Sequence, residues 1–217
     1  MRFLVKGRSK MLQLLDTLSE KVMPSHTAVL VVDIQNDFCH PDGYVGRKFG
    51  VDANANQSLA ARNQSLTSQA RSLGATIIWV KAIYDPEYLS APMLSKGGSA
   101  GDKPRCYEGS WGAEFYYVEP EEGDIVLIKH RYSAFSGTNL NAILQKRSNK
   151  TTVITGVTTN ICVDSTLRDA FNLGYYVVIP EDCVAANDIS LHQATLKNVE
   201  LLLGDVTTSE ELLNIWL

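Results

Sequence analysis

Residues 153–170 read VITGVTTNICVDSTLRDA, and this stretch decides the fold class. An apolar, β-branched run leads into GVTT and then into a helix-compatible segment, which is typical of a buried strand followed by a helix. Cys162 falls in the first turn of that predicted helix. The N–H groups of a first turn favour a thiolate and can hold an oxyanion, so the position suits a nucleophile. A small buried structural cysteine is the alternative.

The same alternation of strand and helix continues along the chain. We predict strands over residues 28–32, 76–80, 125–128, 151–155 and 175–179, each an apolar run. We predict helices over residues 57–72, 139–146, 161–173, 191–203 and 210–216. This rhythm predicts an α/β fold, a doubly wound three-layer sandwich whose helices flank a mostly parallel central sheet.

The length of 217 residues and the 45% apolar content favour a single domain over residues 1–217. Leucines at helical spacing predict an amphipathic helix over residues 9–22, within an N-terminal helical extension of residues 1–24. Residues 82–123 are too long and too rich in Gly, Pro and Tyr for a plain connection, and we interpret them as a lid or a subunit contact. Their segment YEGSWGAEF either walls a pocket or packs down as a surface hairpin.

Composition narrows the partners. The net charge is −4 and the basic residues are scattered, which argues against nucleic acid and anionic membrane as partners. We find no apolar stretch long enough to span a bilayer and no apolar core of a signal peptide in MRFLVKGRSK, so we expect a cytoplasmic protein. The four cysteines are widely spaced, which argues against a disulfide framework or a zinc knuckle.

Three polar residues fall at or just after the carboxyl ends of predicted strands, where open parallel sheets bind their ligands. Asp33 ends the first strand, Lys129 ends the strand at 125–128, and Cys162 follows the strand at 151–155. Asp33 could take the thiol proton of Cys162 and return it to a leaving group, while Lys129 would hold the aspartate and favour the thiolate. Taken singly, Asp33 could instead cap a turn and Lys129 could be an exposed charge.

The motifs VVDIQNDF around Asp33, KHRYSAFSGTNL from Lys129 and GVTTNICVDSTLRDA around Cys162 together resemble those of the isochorismatase-like cysteine hydrolases, over residues 28–206. The resemblance implies Asp33, Lys129 and Cys162 as a catalytic triad. It also implies a cis peptide bond at Val157-Thr158, with the N–H groups of Thr158 and Cys162 as an oxyanion hole. A homo-oligomer, dimer or tetramer, is implied as well.

The metal-binding aspartate and histidines of the nicotinamidase branch are not matched, because KAIYDPEYLS follows Val80 without a histidine. We therefore expect no metal and no cofactor. The details are closer to the ureido-cleaving branch, so the prediction is a metal-independent amidohydrolase acting on a biuret-like or ureidoacrylate-like compound through a covalent Cys162 intermediate. The alternatives are an N-carbamoyl amino acid or nicotinamide hydrolase, a vinyl ether hydrolase, and a redox-sensing or binding protein on the same fold.

The substrate pocket can be predicted only in outline. Phe38 and Trp111 could sandwich a flat conjugated urea, and Tyr132 and Asn36 could bond its polar edge, although each could equally belong to the core. On the long loop, Arg105 and Glu108 are candidates for binding a substrate carboxylate. Solvated loop positions are the alternative for both.

Overall fold

The computed structural model describes residues 2–3, 12–97 and 105–217. The described strands are β1 (Arg2–Phe3), β2 (Leu12–Gln13), β3 (Thr27–Val32), β4 (Thr76–Ala82), β5 (Ile125–Lys129), β6 (Thr151–Val157), β7 (Tyr176–Pro180), β8 (Val184–Ala185) and β9 (Asp205–Thr207). The described α-helices are α1 (Leu18–Lys21), α2 (Asn36–Cys39), α3 (Tyr44–Phe49), α4 (Ala53–Ser72), α5 (Ala91–Gly97), α6 (Leu140–Lys146), α7 (Asp164–Asn172), α8 (Ile189–Asn198) and α9 (Ser209–Trp216). Wider π-helical turns, Thr159–Val163 and Val199–Leu203, precede α7 and follow α8.

The central sheet is parallel and doubly wound. Its strands lie in the order β5-β4-β3-β6-β7-β9, with β8 added alongside β6. The chain therefore runs outward from β3 through β4 to β5, then crosses over to β6 and runs outward the other way. This confirms the predicted α/β sandwich, and it places the topological switch point, where such folds bind their ligands, between β3 and β6.

Both faces of the sheet are covered, which explains the continuous apolar runs. On β3, Val29 and Val31 pack into one hydrophobic cluster, whereas Leu30 and Val32 pack into the other. The first cluster includes residues of α4 and α9, and the second includes residues of α6 and α7. Because neither face meets water, every residue of β3 and of β6 is buried.

The predicted N-terminal helix is wrong over most of its described length. Residues 9–11 lie outside the described residues, and Leu12–Gln13 instead pairs antiparallel with Arg2–Phe3. The helix begins only at Leu18, because Thr17 and Glu20 form a capping box that fixes its start. Among the described residues, no helix is long and apolar enough to cross a membrane.

The described parts of the stretch over residues 82–123 are held by the segment that follows β3. The Asp37 carboxylate accepts the N–H groups of Tyr44 and Cys106 at 2.9 and 2.6 Å. A Cβ on Gly112 would come within 2.1 Å of this carboxylate, so only glycine fits there. The Gln35 side chain bonds the backbone at Ala82, where the stretch begins, and at Ala113 within it.

Candidate active site

Asp33 leaves β3 in an unusual backbone conformation. Its N–H donates to Val80 O at 3.0 Å, its φ is +54°, and its carbonyl accepts the N–H of Gln35. Aspartate tolerates this left-handed region better than most residues do. The side chain is fully buried at the switch point beside β6.

Lys129, the last residue of β5, provides the counter-charge. Its Nζ lies 2.8 Å from Asp33 Oδ2, and both side chains are completely buried. The same ammonium donates to the Arg131 carbonyl at 3.0 Å and to the Tyr84 hydroxyl at 3.3 Å. Three oxygens therefore hold it in place, and the alternative interpretation of Lys129 as an exposed charge is wrong.

The two charges of this pair shift each other's protonation. Burial raises the pKa of Asp33, and the Lys129 ammonium only partly opposes this. Burial disfavours the charge of Lys129, but Asp33 and Cys162 together outweigh it and raise the pKa of the ammonium. No well-aligned hydrogen bond from the described residues reaches either carboxylate oxygen, although Lys129 contacts one of them. Asp33 therefore retains capacity to accept a proton.

Cys162 lies in the π-helical turn that leads into α7. Its side chain is buried, its Sγ lies 4.0 Å from the Tyr84 hydroxyl, and its carbonyl accepts the Thr166 hydroxyl at 2.7 Å. The pKa of Cys162 is raised to about 12, mainly by burial; the Lys129 ammonium opposes this rise, and the charge of Asp33 adds to it. Burial therefore opposes the thiolate that the helix start is expected to stabilise, and a thiol at this position needs a base before it can attack.

Tyr84 is a site residue that the sequence analysis missed. It is buried just beyond the end of β4, and its hydroxyl faces both Lys129 and Cys162. The rule that selected Asp33 and Lys129, a polar group at a strand end, applies equally to this position. The sequence therefore contained a signal for Tyr84, but this position was assigned to the long loop that begins after β4.

The backbone beside Cys162 needs a glycine. Gly156 has φ +101°, and a Cβ there would come within 2.0 Å of Val32 O, where β6 and β3 lie side by side. The following peptide bond, between Val157 and Thr158, is cis. The Thr158 carbonyl accepts the N–H groups of the two residues that flank Cys162, Ile161 and Val163. Thr158 and Cys162 thus belong to one tight turn.

The predicted pocket residues divide into three groups. Phe38 and Thr158 line the same cleft of about 260 Å³, which also includes Asn56 and Asn187. Tyr132 lies elsewhere, with its hydroxyl 3.5 Å from Arg105 Nη2.

The third group comprises Asn36, Trp111 and Glu108, whose contacts are structural. The Asn36 amide donates to the Trp111 carbonyl at 2.8 Å, which fixes the loop. The Trp111 ring is half exposed and meets the edge of His40 at 5.0 Å. Glu108 is exposed, and its N–H bonds Asp85 rather than joining the buried site. Of the two residues predicted to bind a substrate carboxylate, Arg105 therefore lies against Tyr84 of the buried site, whereas Glu108 does not join that site.

Among the residues that the structure describes, no group of three or more His, Cys, Asp or Glu side chains is arranged to hold a metal ion. His40, for example, accepts the N–H of Asp42 through Nδ1. His192 bonds the hydroxyl of Thr159 at 2.9 Å.

A doubly wound parallel sheet with a buried aspartate, lysine and cysteine around its switch point defines an α/β enzyme of the isochorismatase-like class. The Isochorismatase domain model matches residues 27–211, and the chain belongs to this family.

Curated relatives support the same assignment. The chain is 36% identical over 210 residues to Ureidoacrylate amidohydrolase RutB of Methylobacterium radiotolerans, covering 88% of this chain and 81% of the relative. It is 35% identical over 200 residues to the protein of the same name from an Enterobacter species, covering 85% and 86%. With the family, these relatives show that the chain is a hydrolase acting on carbon–nitrogen bonds, an amidohydrolase.

Solved structures share the fold. A cysteine hydrolase from Pseudomonas syringae pv. phaseolicola superposes with a TM-score of 0.78 at 24% identity, covering 89% of this chain and 93% of that one. N-carbamoylsarcosine amidase from Thermoplasma acidophilum superposes with a TM-score of 0.70 at 28% identity, covering 85% and 96%.

Proposed function

We propose that this protein is a metal-independent cysteine amidohydrolase that cleaves a carbon–nitrogen bond of a small ureido compound through a covalent Cys162 intermediate. The observation that carries the proposal is the burial together of Asp33, Lys129 and Cys162 at the switch point. The curated relatives are named for ureidoacrylate, which favours a ureidoacrylate-like substrate over a biuret-like one.

Asp33 acts as the general base in this proposal. The thiol pKa of about 12 means that Cys162 rests as a thiol, so its proton must be removed as the sulfur attacks. Burial raises the pKa of the Asp33 carboxyl group, which makes its carboxylate a stronger base, and its charge acts on the nearby Cys162 thiol. Lys129 keeps the carboxylate in position. Its ammonium also stabilises the negative charge as that charge moves from the Asp33 carboxylate to the Cys162 sulfur.

The backbone N–H groups of Thr158 and Cys162 form the oxyanion hole. Both belong to the tight turn that follows β6, and Thr158 also lines the cleft with Phe38. Backbone donors held rigidly toward a developing oxyanion stabilise the tetrahedral intermediate, typically by about 3–4 kcal/mol per donor.

The proposed reaction has two stages, formation of a carbamoyl thioester on Cys162 and its hydrolysis. The Cys162 sulfur attacks the ureido carbonyl carbon, and the thiol proton moves to Asp33. The carbon–nitrogen bond to the substituted nitrogen breaks, and Asp33 returns the proton to that nitrogen, which leaves as an amine. Water then hydrolyses the carbamoyl thioester, which regenerates the thiol and releases carbamate, the source of ammonia and carbon dioxide.

Ammonia release from ureidoacrylate, biuret, an N-carbamoyl amino acid and nicotinamide, each with EDTA present, tests the proposal. We expect turnover of a ureido compound that survives EDTA, disappears in Cys162→Ala and persists in Cys183→Ala. Cys183 is the matched control because it is a buried thiol outside the triad. Turnover that EDTA abolishes, or that Cys162→Ala retains, would contradict the proposal.

A further inference from the structure

Arg105 occupies a distinctive position beside the triad. Its guanidinium carbon lies 5.1 Å from the ring centre of Tyr84 and 5.6 Å from that of Tyr44. Its Nη2 lies 3.5 Å from the Tyr132 hydroxyl. The far end of the Tyr84 side chain, its hydroxyl, faces Cys162. The arginine and the proposed nucleophile therefore contact the same tyrosine, the arginine over its ring and the sulfur at its hydroxyl.

This cation has no acidic partner among the described residues. No described carboxylate lies within ion-pair distance of Arg105, whereas Arg71 on α4 pairs with both Asp124 and Glu121. Arg105 is partly buried, and it retains its charge because a guanidinium stays protonated in proteins. Withdrawing a cation from water without a counter-charge is unfavourable, and aromatic faces offset only part of that cost.

The geometry points to Arg105 as the residue that binds a carboxylate of the substrate, so that the enzyme acts on anionic ureido acids rather than on neutral ureas such as biuret. The inference rests on the proposed function, because it places the ureido carbon at Cys162. A guanidinium presents paired N–H donors that match a carboxylate, and the Tyr132 hydroxyl beside it offers a further donor.

The charges around the site agree with this assignment. Arg105 is close enough to Asp33 that its charge acts on that carboxyl group. A substrate carboxylate bound at Arg105 would supply the missing counter-charge near the buried triad.

Binding to the Cys162→Ala protein, measured by titration calorimetry, separates this inference from the chemistry. The probes are 3-ureidoacrylate and its uncharged primary amide, which differ mainly in the carboxylate. We expect Arg105→Met to weaken binding of the acid by about 10- to 100-fold. The fold-loss of affinity for the amide should be at least about ten times smaller. Arg105→Lys should fall between, because it keeps the charge and loses the paired donors.

Arg147→Met is the matched control, since it removes the same charge from an exposed position at the end of α6. It should leave both probes unaffected. Equal losses for acid and amide in Arg105→Met would overturn the inference, as would tighter binding of the amide than of the acid by the parent protein.

The kinetic counterpart uses the protein with Cys162 intact. We expect Arg105→Met to raise KM for the ureido acid by about 10- to 100-fold with a smaller change in kcat, since the arginine acts by binding. If no ureido compound is hydrolysed, the proposed function fails, while the calorimetry still decides the role of Arg105. If ureido acids are hydrolysed but KM in Arg105→Met is unchanged, only the inference fails.

Discussion

The Lys129 ammonium lies 2.8 Å from the Asp33 carboxylate, and neither side chain is exposed to solvent. Asp33 follows β3 and Lys129 ends β5, and these two strands are not neighbours because β4 lies between them. Such a pair is held by tertiary structure alone, and removing one partner leaves the other charge buried without compensation.

We predict that Lys129→Met lowers the free energy of unfolding by about 3–5 kcal/mol. The Asp33→Asn, Lys129→Met double variant should lose less than the sum of the single losses, because no buried charge remains in it. Without Lys129 the pKa of Asp33 rises further above its unfolded value, so Lys129→Met should be more stable at acidic than at neutral pH. Urea unfolding at several pH values measures both effects, and additive losses would contradict the coupling.

We predict that Cys162 reacts with iodoacetamide slowly near pH 7 and that its rate keeps rising beyond about pH 9. The reason is the raised thiol pKa of about 12, which leaves little thiolate at neutral pH. Mass spectrometry of labelled peptides assigns the reaction, with Cys162→Ala as the control for labelling elsewhere. A rate that reaches a plateau below about pH 8 would indicate a preformed thiolate and contradict the resting state described above.

The Tyr84 hydroxyl lies between the Lys129 ammonium and the Cys162 sulfur. We predict that Tyr84→Phe lowers kcat by about 5- to 20-fold, because Lys129 loses one of its hydrogen-bond acceptors. Circular dichroism should show a retained fold. Tyr175→Phe is the matched control, as its hydroxyl bonds Asn141 away from the triad. Equal kcat for Tyr84→Phe and the parent protein would rule out a part for this hydroxyl in catalysis.

We expect a network of side chains at the edge of the sheet to contribute to stability in acid. Asp124 accepts Trp79 Nε1 at 2.7 Å and pairs with Arg71. Burial raises the pKa of Asp124, but these donors outweigh it and hold the pKa below its ordinary value. Its contribution to stability is therefore present above the unfolded pKa and is lost as the pH falls through the lower folded pKa.

We predict that Asp124→Asn lowers the free energy of unfolding by about 2–3 kcal/mol near pH 7, with the difference from the parent protein shrinking below about pH 4. Thermal unfolding across pH gives the measurement. Glu122→Gln is the control, because Glu122 is an exposed carboxylate on the same loop. A constant difference at all pH values would contradict the assigned titration.

The sequence was sufficient for the sheet because its strands are buried on both faces, which leaves continuous apolar runs such as β3. It was also sufficient to bring Asp33, Lys129 and Cys162 together, since the carboxyl ends of parallel strands meet at one edge. It was not sufficient for the protonation of Cys162. A helix start predicts a thiolate, whereas the observed burial depends on packing from distant parts of the chain.

The remaining differences have local and long-range causes. Thr17 fixes where the first helix begins, and the helical periodicity of the leucines obscured that capping signal. The contacts of Arg105 with Tyr84 and Tyr132 join residues that are about 20 and about 30 positions apart in irregular segments, which no periodicity encodes.

The most direct test of the central claim is trapping of the covalent intermediate. The protein is mixed with ureidoacrylate, quenched rapidly in acid and measured by intact and peptide mass spectrometry. The account predicts a mass increase of one carbamoyl group, located on Cys162 and absent in Cys162→Ala. Steady turnover with no adduct on Cys162 at any quench time, and with activity retained in Cys162→Ala, would contradict it.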